Sequence, residues 1–112
     1  LGLVRRGYCL GMDHVHRGLG PDFKPSFERR TECIKLLVDA GFAGNLFLSQ
    51  DVEFGGAMLP TAARQWRETI DPAEGMLFGV RRLIPHLRQI GVPDSAIHAM
   101  TVDNPRRFFG LI

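Results

Sequence analysis

Tyr8-Cys9-Leu10-Gly11-Met12-Asp13-His14-Val15-His16 is an apolar run that breaks off abruptly into ionisable residues. Arg5-Arg6-Gly7 precedes it. A short apolar run with such flanks reads as a buried strand near residues 8–12, rather than a helix. Residues 18–25, GLGPDFKP, then read as a loop from their Gly and Pro content. Asn45-Leu46-Phe47-Leu48-Ser49 repeats the pattern as a second strand near 45–49, ending in Gln50-Asp51.

A helix near 26–41 separates the two runs. Ser26 is a suitable N-cap. Phe27, Ile34, Leu37 and Val38 recur near helical spacing, with Thr31 completing the stripe, and Gly41 is a natural stop. After the second strand the sequence predicts a Gly-rich loop to about residue 60, then a short helix at 61–70, and a longer one near 76–90. Val80, Leu83, Ile84, Leu87 and Ile90 give that helix one apolar face. Pro85 should kink it or interrupt its hydrogen bonding, and Gly91 ends it. A short helix is expected at 94–100, then a last turn capped by Asn104 with Pro105 at its first position. Phe108 and Phe109 are expected to be buried anchors of that turn, and Met12, Met76 and Met100 packing residues.

The order strand–helix–strand–helix, with strands buried on both faces, predicts a parallel sheet. Two strands cannot form a stable sheet alone. The expected setting is therefore a larger α/β fold, either an eight-stranded barrel or an open doubly wound sheet. The sequence opens at Leu1-Gly2-Leu3 without a Met, as if in mid-element, and residues 1–112 are expected to be part of one larger domain.

The 112 residues carry a net charge of +2, with 14 Lys and Arg scattered along the chain. This argues against a nucleic-acid partner. No apolar run approaches a membrane span, and the first ten residues do not form a signal peptide. Cys9 and Cys33 are expected to be buried free thiols, which fits a reducing, cytoplasmic setting.

In barrels and open sheets alike, sites sit at the C-terminal ends of the strands. Here those ends carry Asp13-His14-Val15-His16 and Ser49-Gln50-Asp51. A carboxylate there can bind a divalent metal or accept a proton, and a nearby His can pass the proton on. Each feature also has a plain structural reading. Asp51 could be a cap or turn residue, and His14 and His16 two loop histidines. His14 and His16 follow Asp13, where the strand is ending, which argues against a metal pair on one strand face. His86 and His98 read as surface or internally satisfied residues.

The segments Gly7–His14, Ile34–Phe42, Leu46–Asp51, Leu83–Pro93 and Thr101–Phe109 together resemble, in order, the end of the phosphotriesterase family within the amidohydrolase superfamily. The matching features are the seventh strand, its following helix, the eighth strand with its terminal Asp, the proline-containing long helix and a closing Asn-Pro. The resemblance implies the C-terminal part of a (β/α)8 TIM-type barrel, about the last two βα units plus closing helices. It implies two divalent metal ions, usually zinc, and cleavage of a phosphotriester, lactone or carboxylic ester by a metal-activated hydroxide. Asp51 would then be a metal ligand and proton acceptor, with His14 passing the proton towards solvent and Asp13 orienting the loop. Arg17 and the loop containing Phe54 would line the substrate pocket.

The family's other metal ligands come from earlier strands and have no counterpart in these residues, so the chain alone is expected to be inactive. A homodimer is the expected assembly of the full-length protein. The competing reading is a non-catalytic barrel piece used for binding or assembly. An open-sheet nucleotide binder is disfavoured because no Gly-rich phosphate loop joins strand to helix.

Overall fold

The computed structural model describes residues 1–19, 24–50 and 74–111. The expected helix at 61–70 and the loop from 52 to about 60 lie outside these residues. The described elements are α1 (Gly2–Arg5), β1 (Leu10–Met12), α2 (Phe27–Asp39), β2 (Leu46–Leu48), α3 (Ile84–Gln89), α4 (Asp94–His98) and α5 (Asn104–Phe108). The two strands pair in parallel, Leu10 opposite Leu46 and Met12 opposite Leu48. The expected parallel α/β arrangement is therefore present, mostly helical, with strands shorter than the apolar runs suggested. Residues 15–19, partly assigned to the loop, form a 3-10 turn.

The helix α2 forms where its caps and stripe place it. Ser26 accepts a hydrogen bond from Arg29 N–H at 3.3 Å, satisfying one of the unpaired donors of the first turn. Phe27, Thr31, Ile34 and Leu37 are its buried positions, spaced to share one face. Gly41 stands at φ 85°, which a residue with a Cβ adopts with difficulty. There its N–H bonds Val38 C=O, while Phe42 N–H bonds Leu37 C=O, closing the helix end. Gly91, at φ 89°, closes α3 in the same way through Val92 and Leu87.

Two prolines shape the rest of the helical layer. Pro85 and Pro105 each stand second in an α segment. Each segment directly follows a five-residue π turn, Gly79–Leu83 and Ala99–Asp103. Proline lacks the N–H for an i→i−4 bond, and its ring crowds the carbonyl at that position. A wider turn relieves both problems while the chain keeps coiling. The expected interruption at Pro85 is thus a π turn rather than a break.

That geometry corrects two expectations. Val80 is 64% exposed, because the π turn advances through a smaller angle per residue and rotates it away from Leu83 and Leu87. Asn104 is not an N-cap: its backbone is helical, and coiled structure runs through it from Asp94 to Phe108.

The core is built by α2, β2 and the later helices. Ile34, Leu46, Phe78, Leu87 and Met100 are fully buried there. Leu10, Met12 and Leu48 pack against this core from the sheet. Three further expectations are corrected. Phe108 and Phe109 are 66% and 71% exposed rather than buried; they pack edge-to-face on each other, and Phe108 also on Phe47 of β2 at 5.4 Å. Met76 is also exposed. Cys9 and Cys33 are free, but both are exposed: Cys33 lies off the buried stripe of α2, and Cys9 precedes β1 outside the core. Among the described residues, no helix is long and apolar enough to cross a membrane.

Candidate functional site at the strand ends

Parallel pairing brings the C-terminal ends of β1 and β2 to one edge of the sheet. Ser49 N–H reaches Met12 C=O at 3.4 Å, extending the ladder one residue past β2. Asp13-His14 and Ser49-Gln50 are therefore neighbours, as the sequence pattern predicts. Asp51 follows Gln50 directly but lies outside the described residues, as does Phe54.

His14 has a backbone φ of 55°, the one positive value among described non-glycine residues. A side chain at such a φ is disfavoured by contact between Cβ and the backbone, although His tolerates it better than most residues. Neighbouring backbone bonds hold the turn. Arg17 N–H donates to His14 C=O at 3.0 Å, and the Arg30 guanidinium to the same oxygen at 3.4 Å. The imidazole Nδ1 lies 3.9 Å from the Asp13 carboxylate, and its side chain is about a third exposed at 31%. Its Nε2 is buried, so the exposed part of the ring lies elsewhere.

His16 is fully buried. Its ring packs edge-on to His14 at 6.2 Å and to Phe78 at 5.9 Å, so it buttresses the His14 ring. Arg17 sits in the 3-10 turn, half-buried, with its Nε buried and lacking a hydrogen-bond partner among the described residues. His86 is satisfied: its Nε2 lies 3.1 Å from the Thr31 hydroxyl, and its ring packs on Phe27 at 4.8 Å. His98 is exposed near Asp103. The plain readings of these last two histidines hold.

Gln50 has a role that its position alone does not announce. Its Nε2 donates to Met76 C=O, and its Oε1 accepts from Gly79 N–H at 2.7 Å. One side-chain amide thus joins the end of β2 to the turns that lead into α3. The only sequence signal was a Gln between an apolar run and an acid, and its partner carbonyl and N–H belong to residues 26 and 29 positions later.

The opposite end of β2 is tied down differently. Asn104, buried, donates from Nδ2 to Ala43 C=O and to Leu46 C=O, each at 2.7 Å. Its Oδ1 accepts from Arg107 Nη2 at 2.7 Å, and the same Nη2 donates to Gly44 C=O at 2.9 Å. The Asn that resembled a cap instead fastens the last helix to the start of β2.

Among the described residues, no group of three or more His, Cys, Asp or Glu stands close enough to hold a metal ion. The described part of the chain therefore does not make a metal centre by itself.

The phosphotriesterase family model matches residues 1–109. A phosphotriesterase homology protein of Mycobacterium tuberculosis is 31% identical to this chain, across 96% of it and 31% of the relative. The solved phosphotriesterase structure from the same organism superposes with a TM-score of 0.66 at 29% identity, covering 96% of this chain and 31% of that one. A mutant organophosphorus hydrolase from Deinococcus radiodurans superposes with a TM-score of 0.70 at 27% identity, covering 95% and 32%. The chain spans about a third of the length of the curated relatives it matches. With a family match over nearly its whole length, this chain belongs to the phosphotriesterase family.

Proposed function

We propose that the protein is a metal-dependent hydrolase that cleaves a phosphotriester, lactone or carboxylic ester, and that this chain supplies the C-terminal part of its (β/α)8 barrel. The observation that carries the reading is His14. It is held at φ 55° on the strand edge it shares with Gln50, the residue before Asp51. Disfavoured backbone that its surroundings over-determine is concentrated at functional sites. The barrel reading is supported by the two-stranded sheet, in which each described strand pairs on one side only.

Asp51 is the one metal ligand assigned to this chain. The other ligands are assigned to parts of the domain beyond these residues. Zinc, when bound, lowers the pKa of an attacking water towards neutrality. This chain's own residues handle protons and substrate. Asp51 accepts the proton of the attacking water. His14, about a third exposed, passes that proton to solvent. The Arg17 side chain and Phe54 line the substrate pocket. A cytoplasmic setting accords with the two free, exposed thiols.

The test is steady-state kinetics on the full-length protein with zinc restored, using an aryl phosphotriester, a lactone and an aryl ester. Turnover of at least one is expected, and Asp51→Asn should nearly abolish it, since an amide is not a base. Turnover that survives this substitution within a few-fold removes Asp51 from the mechanism.

A further inference from the structure

We propose that Gln50 is a positioning residue: its side-chain amide staples the C-terminal end of β2 to Met76 and Gly79, fixing the strand edge that carries His14 and leads into the proposed proton acceptor. The role rests on the hydrolase reading above.

Three observations support it. Both ends of the amide are used, Nε2 on Met76 C=O and Oε1 on Gly79 N–H at 2.7 Å. Each bond ends on backbone: no substitution removes the Met76 carbonyl, and only proline would remove the Gly79 N–H. Gly79 is also closely fitted to the amide: a Cβ there would come within 3.2 Å of Gln50 Oε1. Finally, β2 has three residues and one described strand neighbour, so its ladder alone holds its end weakly. The staple therefore ties the end of β2 to the turns that precede α3. A strand end tied in this way limits how far the edge can shift, and displacements of about 1 Å at a reacting group cost on the order of a hundredfold in rate.

The experiment uses the full-length protein. Gln50→Met keeps the length of the side chain and removes both hydrogen bonds. Backbone hydrogen exchange at Gly79 should become about tenfold faster, while exchange at Arg29, in the cap of α2, stays unchanged. On whichever of the three substrates is turned over, kcat/KM should fall about tenfold to a hundredfold. Gly79→Ala approaches the same contact from the other side. Alanine favours helical backbone over glycine, so the Tm should hold or rise while kcat/KM falls, a combination that a purely stabilising contact does not produce. The double variant should be no worse than Gln50→Met, because both act through one contact.

Unchanged exchange at Gly79 in Gln50→Met overturns the staple. Faster exchange with kcat/KM within threefold, activity that tracks Tm, or additive losses each overturn the positioning role. A wild-type protein inactive on all three substrates overturns the hydrolase reading and this role with it, while exchange at Gly79 still decides whether the staple exists.

Discussion

The two ends of the strand pair are built on different terms. At the N-terminal end, Asn104 and Arg107 supply side-chain hydrogen bonds to the backbone of Ala43, Gly44 and Leu46. Asn104 itself is buried. At the C-terminal end stand a solvent-accessible Asp13, a His14 in a disfavoured backbone conformation and a half-buried Gln50. The first arrangement holds the last helix to the sheet. The second exposes ionisable groups at the cost of local strain. In barrel enzymes, stability concentrates at the N-terminal face of the strands and chemistry at the C-terminal face, and the proposed function divides this strand pair in the same way.

Substitutions at the two ends should separate accordingly. On the proposed assignment Asp51→Asn carries the largest effect: general acid–base groups are worth roughly 10²–10⁴-fold in rate, and an amide is a weaker metal ligand than a carboxylate. Tm without metal should barely change. Asn104→Ala comes next and acts on stability. It withdraws the donor from a carbonyl of the buried Leu46 and the acceptor from Arg107. A buried acceptor left unpaired costs about 1–3 kcal/mol, which denaturant melts would read directly, while KM of the folded fraction stays unchanged.

His14→Asn should cost turnover at or below about 10²-fold, because water partly replaces a proton shuttle. It should not lower Tm, since Asn also tolerates a positive φ. A Tm fall there with unchanged turnover would reverse the assignment of that end.

The smallest effect belongs to neither end. Glu28, in the first turn of α2, has its carboxyl held below the usual glutamate range by a backbone hydrogen bond and by the Ser26 hydroxyl. A depressed folded value means that the ionised form favours folding. Its contribution is complete above the ordinary glutamate value and disappears as pH falls through the lower folded one. Glu28→Gln should therefore lower Tm slightly near neutral pH, with the difference from wild type vanishing in acid. A difference that persisted in acid would assign the effect to something other than the charge.

The helix α2 was legible in the sequence because its signals are local: Ser26, the stripe from Phe27 to Leu37, and Gly41. The strands were legible because an apolar run ending in ionisable groups is itself a local pattern, and the parallel pairing followed from the helix between them. His14 could be singled out for the same reason. Asn104 and Gln50 could not be read correctly. Asn104 before Pro105 has the local form of a cap, but the preceding π turn keeps the backbone helical, and its partners lie some 60 positions earlier in the chain. The bonds of Gln50 reach 26 and 29 positions onward. Phe108 and Phe109 show the same limit: aromatic character suggests burial, but only the packing decides whether a face is covered.

The measurement that tests this division most directly is a paired one on the full-length protein. Tm and kcat of the folded fraction are determined for His14→Asn and Asn104→Ala under identical conditions with zinc restored. The account predicts a crossing pattern: His14→Asn lowers kcat and leaves Tm in place, and Asn104→Ala lowers Tm and leaves kcat in place. Two variants that lose Tm and kcat in the same proportion would contradict it.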